Sequence, residues 1–422
     1  MDVKLSGRPC SQAIVTIPAS KSISHRALIA AALAKGTSTV RRLVDNADTQ
    51  ATIRCLRSLG AEIEETEEAV IVRGNGLVYD GTVLDCGESG STLRFLIPIG
   101  AVQKNPVVFT GHGRLMQRPL DVYRDLFARQ HLVFDPAGSL LRIQGPLSAG
   151  TYDIDGSISS QFITGLLFAL PLLSGDSEIR IAPPFESKSY VGLTMQVLEQ
   201  AGIEITQESD GRIIRIAGNQ HYHPITTSIE GDASQAAFFG VLAAITGTSI
   251  TLQGLNPASR QGDMAFVRIL ERAGVRVAQS EDRGGFTFTG TGSLHACPVD
   301  LADCPDLGPV LFVLASQCEG TTVFTHAGRL RVKESDRIAC MEDEMRKLGC
   351  DISSDEDTVI VHGKTAVRGN VELDGHNDHR IVMALSVLAA VAQSPVVIHG
   401  AQAVNKSYPG FFDDLRLTGM EV

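Results

Sequence analysis

Four segments of this chain read almost alike: Leu59-Gly-Ala-Glu-Ile, Ala201-Gly-Ile-Glu-Ile, Ala273-Gly-Val-Arg-Val and Leu348-Gly-Cys-Asp-Ile. Two weaker copies, Gln130-His-Leu-Val-Phe and Thr418-Gly-Met-Glu-Val, fill the remaining gaps. The second residues stand at 60, 131, 202, 274, 349 and 419, at steps of 71, 71, 72, 75 and 70, so the 422 residues hold six units. Repetition on this scale constrains a fold more than any short motif, because each unit must bury its apolar side against others of its kind. Each copy closes an amphipathic stretch, such as Ala51–Leu59 or Val267–Ala273, and turns at glycine into a β-branched run. That pattern reads as helix, glycine cap, strand.

A second helix recurs on the same beat at Ser24–Ala34, Ser91–Val102, Ser160–Leu173, Ala233–Thr246, Leu307–Ser316 and His379–Ala392. These stretches are nearly all Ala, Leu, Val, Ile and Phe, and a helix apolar on every side is buried on every side. Short strands follow at Thr37, Val107, Ser177, Ser249, Thr321 and Val396, giving two helices and about four strands per repeat. A solenoid of this period would leave one helix face per repeat in water, so two closed lobes with three buried helices each fit better. The longest apolar stretch, Ile381 to Ala392, is broken by Ser386 and is too short to span a bilayer.

The buried helices begin at Ser22 or Ser24, Ser89 or Ser91, Ser159 or Ser160, Asp232, Asp306 and Asp378. Such residues cap helices, and helix starts that face one cleft also make an anion trap from free N–H groups and the helix dipole. The trap must be local. With 37 Lys and Arg against 48 Asp and Glu, the net charge of −11 argues against nucleic acid or an anionic membrane as partner. Basic residues nonetheless stand beside these starts: Lys21 and Arg26, Arg94, Arg114 and Arg118, Lys333 and Arg337, His379 and Arg380, and Lys406. Arg26 and Arg380 lie within a turn of wholly apolar helices, where a charge must be paired or bound to ligand. Asp48 and Asp232 read as caps, and Glu334 stands three residues before Arg337.

No dinucleotide fingerprint, nucleotide phosphate loop, zinc spacing or nucleophile elbow occurs in the sequence. No cofactor and no metal are therefore expected. Eight scattered cysteines without a Cys-x-x-Cys pair suggest free thiols, and Met1 is followed by no basic stretch and apolar core, so a cytoplasmic location is expected.

These residues carry a resemblance. Pro18-Ala-Ser-Lys-Ser-Ile-Ser-His-Arg-Ala, Gly87 to Arg94, Arg114-Leu-Met-Gln-Arg-Pro, Ser159-Ser-Gln, Ser187-Lys-Ser-Tyr, Gly231-Asp-Ala-Ser, Pro305-Asp, Arg331-Val-Lys-Glu-Ser-Asp-Arg, Asn377-Asp-His-Arg and Lys406 stand in order along nearly the whole chain. The set resembles the 5-enolpyruvylshikimate-3-phosphate synthase family. The resemblance implies an α/β (α+β) fold, a two-domain inside-out α/β barrel of six βαββαβ repeats, three per domain. It divides the chain into residues 1–18 with 231–422 and residues 19–230, the active site lying in the cleft between the lobes. It implies transfer of the enolpyruvyl group of phosphoenolpyruvate to the 5-hydroxyl of shikimate 3-phosphate, with release of phosphate through a tetrahedral intermediate. That step belongs to chorismate and aromatic amino acid biosynthesis and is the target of glyphosate.

By the same resemblance, Lys21, Gly90, Arg118, Gln161, Arg337, Arg380 and Lys406 bind phosphoenolpyruvate. Ser22, Arg26, Ser159, Ser160, Gln161, Ser187, Tyr190, Asp306 and Lys333 bind shikimate 3-phosphate. Asp306, Glu334 and Lys21 carry the proton chemistry, and His379 and Arg94 are further candidates. The partners expected are the two small anions, with no nucleic acid, no membrane and a monomeric chain. Departures from the family pattern are Glu88, where many members have Asn, the region of Arg329, where they have Asn again, and, more mildly, Ser189, where proline is common. Two rival readings are the sister enzyme that acts on UDP-N-acetylglucosamine and a non-catalytic anion-binding relative. The first motif reads Lys21-Ser22 rather than Lys-Asn, and no cysteine lies between Arg114 and Arg118, which disfavours the former.

Overall fold

A computed structural model describes all residues except 8, 77 and 281–283. The chain opens with β1 (Val3–Leu5) and β2 (Gln12–Thr16), then runs through α1 (Lys21–Leu33), β3 (Gly36–Arg41), α2 (Ala47–Ser58), β4 (Glu62–Glu65) and β5 (Ala69–Gly74). The next repeat is β6 (Leu84–Asp85), α3 (Gly90–Gly100), β7 (Val107–Thr110), α4 (Asp121–Arg129), β8 (Val133–Ala137) and β9 (Leu140–Gln144). It is followed by β10 (Thr151–Asp155), α5 (Ser160–Ala169), β11 (Ser177–Ala182), α6 (Lys188–Gln200), β12 (Ile205–Gln207) and β13 (Ile213–Ile216). Then come β14 (Thr226–Ser228), α7 (Ala233–Thr246), β15 (Ser249–Gln253), α8 (Ala265–Arg272), β16 (Arg276–Ser280) and β17 (Gly285–Thr289). A fifth set is β18 (Val299–Asp300), α9 (Gly308–Gln317), β19 (Thr321–Thr325), α10 (Arg337–Lys347), β20 (Asp351–Ser354) and β21 (Val359–His362). The last is β22 (Val371–Asp374), α11 (His379–Ala389), β23 (Val396–His399) and α12 (Phe411–Leu417).

The chain divides into two units, a terminal one of Met1–Ala19 with Glu230–Val422 and an inserted one of Ser20–Ile229. Each holds three sheets of one design. An edge strand runs parallel to the strand that follows the buried helix, and that strand pairs antiparallel with the second strand of a hairpin. The order is therefore βαβαββ rather than βαββαβ: a single strand separates the two helices, and the hairpin follows the outer helix. The last repeat lacks its own hairpin, and β1 from the chain start pairs β23 in its place. Edge strands are also exchanged: β2 precedes α1 in sequence but pairs β15 of the terminal unit, while β14 precedes α7 but pairs β3 of the inserted unit.

All six positions of the repeated motif have positive φ: Gly60, His131, Gly202, Gly274, Gly349 and Gly419, at 96°, 55°, 75°, 100°, 91° and 94°. Each follows an outer helix, where a left-handed residue lets the chain reverse into a strand. A second periodic glycine, at 74, 145, 218, 290 and 363, ends the hairpin. A side chain there would collide with the carbonyl oxygens of Ala34, Ala101, Gly175, Ala243 and Cys318, close to the ends of the inner helices.

The inner helices are buried as expected; α11 is buried along its whole length and α7 from Ala233 to Ala244. In the terminal unit α7, α9 and α11 pack pairwise. Among the described residues no helix is long and apolar enough to cross a membrane. All eight cysteines are free.

Candidate functional site

Helix starts in the inserted unit are held mostly by neutral groups, with one ion pair at the start of α1. Lys21 opens α1 and its Nζ lies 2.9 Å from Asp48 Oδ2. Asp48 is therefore not a cap; Asn46 caps α2, accepting from Thr49 N. The residue preceding α1 is Ser20, so Ser22 and Ser24 sit inside the helix. Arg26, 2% exposed, donates from Nε to Thr194 Oγ1 at 2.8 Å, from Nη1 to Ser22 O at 2.7 Å and from Nη2 to Tyr190 O at 3.2 Å. Its carbon Cζ lies 5.1 Å from the centre of the Phe95 ring. Burial pulls this guanidinium down to about 10. These bonds tie α1 to α6 beneath Ser22 and Tyr190.

Ser89 caps α3 by accepting from Thr92 N. The next residue is Gly90, and a Cβ there would stand 2.6 Å from Arg118 Nη1. Only glycine lets that guanidinium lie against the start of α3. Arg94 donates from Nη1 to Gln161 Oε1 at 2.7 Å, and Gln161 Nε2 donates to Ser91 Oγ at 3.1 Å, so Gln161 is fixed in orientation. Ser159 caps α5, accepting from Gln161 N, and Ser160 follows it. Ser187, 3% exposed, precedes α6 in a left-handed conformation (φ 54°), a strain that non-glycine residues keep where function holds them. The carboxylate of Glu88 leans over Gly113, where a Cβ would stand 2.6 Å from Oε2. Arg114 is exposed.

Helix starts in the terminal unit are held by carboxylates. Asp306 lies two residues before α9 and does not cap it. Its Oδ1 accepts from Lys333 Nζ at 3.2 Å and Arg337 Nη1 at 3.0 Å, and its Oδ2 from Arg380 Nη2 at 3.1 Å. Burial opposes ionisation of Asp306, but Arg380, Lys333 and Arg337 outweigh it and hold the carboxyl well below the usual range. Arg337, 1% exposed, also donates to Glu334 Oε2 at 2.7 Å and from Nε to Asp378 Oδ2 at 2.8 Å. Glu334 precedes α10, so this pair is not intrahelical. Asp378, fully buried, caps α11 through Arg380 N and accepts Ser335 Oγ as well. Asp232 caps α7 through Ser234 N and Gln235 N. Arg380 reaches Ser234 Oγ at 3.0 Å, so the starts of α7, α9 and α11 meet around two arginines. His379 is buried on α11, and Lys406 donates to Asn377 O at 2.7 Å.

The profile of the family described as EPSP synthase (3-phosphoshikimate 1-carboxyvinyltransferase) matches residues 7–415. The chain belongs to the EPSP synthase family. A 3-phosphoshikimate 1-carboxyvinyltransferase of Clostridium kluyveri is 44% identical over 411 residues, covering 97% of this chain and 95% of the relative. Another, of Clostridium novyi, is 40% identical over 417 residues, 96% of this chain and 94% of the relative. Among solved structures, an EPSP synthase from Acinetobacter baumannii superposes with a TM-score of 0.82 at 28% identity, covering 100% of this chain and 99% of that one. The enolpyruvyl transferase NikO from Streptomyces tendae, at 15% identity, has a TM-score of 0.80 over 100% of this chain and 97% of its own, and shares the fold.

Within this member of the EPSP synthase family, sequence reasoning missed Asp378 as the residue that orients Arg337, and Asp48 as the partner of Lys21. A capping aspartate before a helix gives no sign that its second oxygen serves a residue 41 positions away.

Proposed function

We propose that this chain transfers the enolpyruvyl group of phosphoenolpyruvate to the 5-hydroxyl of shikimate 3-phosphate, releasing phosphate. The observation that carries the reading is the cluster of Asp306, Lys333, Glu334, Arg337 and Arg380: three cations for a polyanion and two carboxylates for proton transfer, joined by bonds of 2.7–3.2 Å. Lys21, Gly90, Arg118, Gln161, Arg337, Arg380 and Lys406 hold phosphoenolpyruvate, the planar arginine forks suiting its carboxylate and phosphate. Ser22, Arg26, Ser159, Ser160, Gln161, Ser187, Tyr190 and Lys333 hold shikimate 3-phosphate.

In the addition step the 5-oxygen bonds to C2 of phosphoenolpyruvate and gives its proton to Asp306, while C3 takes a proton from Glu334. The product is a phosphorylated tetrahedral intermediate. In the elimination step C3 returns its proton to Glu334, the bond from C2 to the phosphate oxygen breaks, and the leaving phosphate takes the proton held by Asp306. Asp306 is a weak base while three cations face it. Substrate anions that engage Lys333, Arg337 and Arg380 relieve that compensation and raise its basicity, so the base is strengthened when the substrates are in place. Lys21 shares the proton traffic. The chain acts as a monomer in the cytoplasm, without metal or cofactor, and glyphosate inhibition belongs with this reading.

Purified protein given both substrates is expected to release phosphate, and to release none when UDP-N-acetylglucosamine replaces shikimate 3-phosphate; the reverse pattern overturns the assignment. Asp306→Ala is expected to lower kcat by about 10²–10⁴, the usual contribution of a positioned acid or base, while shikimate 3-phosphate still binds by calorimetry. Near-normal turnover removes its role as base.

A further inference from the structure

A buried chain of hydrogen bonds crosses three helices of the inserted unit. His25, one turn into α1 and fully buried, meets Thr52 Oγ1 of α2 through Nδ1 at 2.7 Å. Thr52 Oγ1 lies 2.7 Å from Thr92 Oγ1 of α3, and Thr92 Oγ1 donates to Ser89 Oγ at 2.7 Å. Both threonines are fully buried and Ser89 is 1% exposed.

The direction of this chain follows from its first member. Burial, with Lys21 and Arg26 beside it, keeps the imidazole neutral, so it carries one N–H. Its Nε2 is buried with no partner. A proton there would be an orphaned donor, whereas a proton on Nδ1 finds Thr52, so the ring holds its hydrogen on Nδ1 and donates. Thr52 Oγ1, filled from that side, passes its own hydrogen to Thr92; the alternative acceptor, Asp48 O, is 3.4 Å away. Thr92 passes its hydrogen to Ser89. Ser89 Oγ also accepts from Thr92 N at 3.2 Å, so both acceptor sites of this oxygen are filled. Among the described residues the Ser89 hydroxyl donates to nothing. Ser89 is the cap of α3, and the Arg118 guanidinium lies against the next residue, Gly90.

We propose that His25 is a positioning residue: by fixing the polarity of the Thr52, Thr92 and Ser89 hydroxyls it turns Ser89 into an obligate donor to an oxyanion bound at the start of α3. In chemical terms the ligand is a phosphate or carboxylate oxygen, which rewards a donor and is repelled by the lone pair of a misdirected hydroxyl. The proposal rests on the reading that Gly90 and Arg118 contact phosphoenolpyruvate, and it adds two residues to that contact. A buried hydroxyl with a spare donor has no structural use, since satisfying it internally would be more stable.

The tautomer is tested on the native chain by long-range ¹⁵N–¹H correlation spectra, with the His25 signals identified by their loss in His25→Asn. A ring protonated on Nδ1 is expected; one protonated on Nε2, or doubly protonated, overturns the proposal whether or not the protein turns over. In steady-state kinetics, Ser89→Ala and His25→Leu are each expected to raise KM for phosphoenolpyruvate about tenfold, the worth of one hydrogen bond to a charged group, with a smaller change in kcat. The double variant is expected to be no worse than either single one, and His25→Asn, whose amide can donate to Thr52, to recover most of the loss. Multiplying effects, or a lowered Tm with KM unchanged, reduce His25 to a packing residue and overturn the proposal. Calorimetric titration of the same variants with inorganic phosphate separates the two readings. A native chain that binds phosphate with this pattern but releases none from the substrates keeps the donor and loses the enzyme assignment.

Discussion

Three inner helices start together in each unit, yet the two sets of starts are built from opposite materials. In the inserted unit the cation at the centre, Arg26, is held by hydroxyls, carbonyls and an aromatic face, with no carboxylate among its partners. In the terminal unit Arg337 is held by three carboxylates and Arg380 by one of the same three. A guanidinium wrapped in neutral acceptors keeps its positive charge for a ligand. One paired with carboxylates is already compensated, and must trade partners when an anion arrives. Lys21 apart, which is paired with Asp48, the same repeat thus supplies one end whose central cation has no carboxylate to exchange and another whose acid–base groups respond to an arriving anion.

The largest contrast is expected in stability. Arg337→Met leaves Asp306, Glu334 and the fully buried Asp378 facing one another, and breaking a buried pair from one side costs about 3–5 kcal/mol. Arg26→Met is expected to cost less, about 1–3 kcal/mol, because Thr164 and Thr194 already share a bond of 2.9 Å and stay satisfied without it. Urea unfolding of both variants measures the difference; equal losses would erase the distinction between the units.

Acid and alkali divide them further. Asp306 and Asp378 ionise below the usual carboxylate range because, against burial, their cations win. Their stabilisation is present above the usual carboxylate pKa and is lost as the pH falls beneath it. Amides at the starts of α9 and α11 are therefore expected to have lower protection factors against exchange at pH 3 than at pH 7, with little change in those of α1 around Arg26. His376 works in the opposite direction. Cys340 and Glu344 raise it to about 10. Its contribution is complete below 6.5 and fades as the pH climbs to about 10, and His376→Gln is expected to flatten that alkaline decline in Tm.

The smallest effect concerns the repeat itself. His131 holds a left-handed conformation that glycine holds in the other five copies. His131→Gly is expected to stabilise by up to about 1 kcal/mol, the left-handed penalty less the entropy of an added glycine.

Much of this architecture was legible in the sequence because it is periodic. A glycine on a 70-odd-residue period marked five of the six turns from outer helix to strand, and the wholly apolar helices announced their burial. The hairpin glycines at 74, 145, 218, 290 and 363 lay on the same period and could have been found by the same search. What stayed hidden was pairing. Asp306 and Asp378 both read as caps, and only the fold brings Lys333, Arg337 and Arg380 to the first and Arg337 to the second. His25 read as part of a motif, but nothing tied it to Thr52, which lies outside every motif, or to Thr92, which lies in the separate Gly87–Arg94 stretch. The count of two helices and about four strands per repeat came from the pattern and holds, whereas the βαββαβ order came from the resemblance and does not.

The exchanged edge strands have a consequence for synthesis. Ser20–Ile229 leaves the ribosome as one stretch and can close its three sheets alone, but Thr16 waits 237 residues for Gln253, its partner in β15. At common elongation rates that is roughly 10–50 s during which β2 has no strand to lie against. The nascent chain carries an unpaired edge through more than half of its own translation, and the second-made half of the protein is what finally supplies partners for β1 and β2.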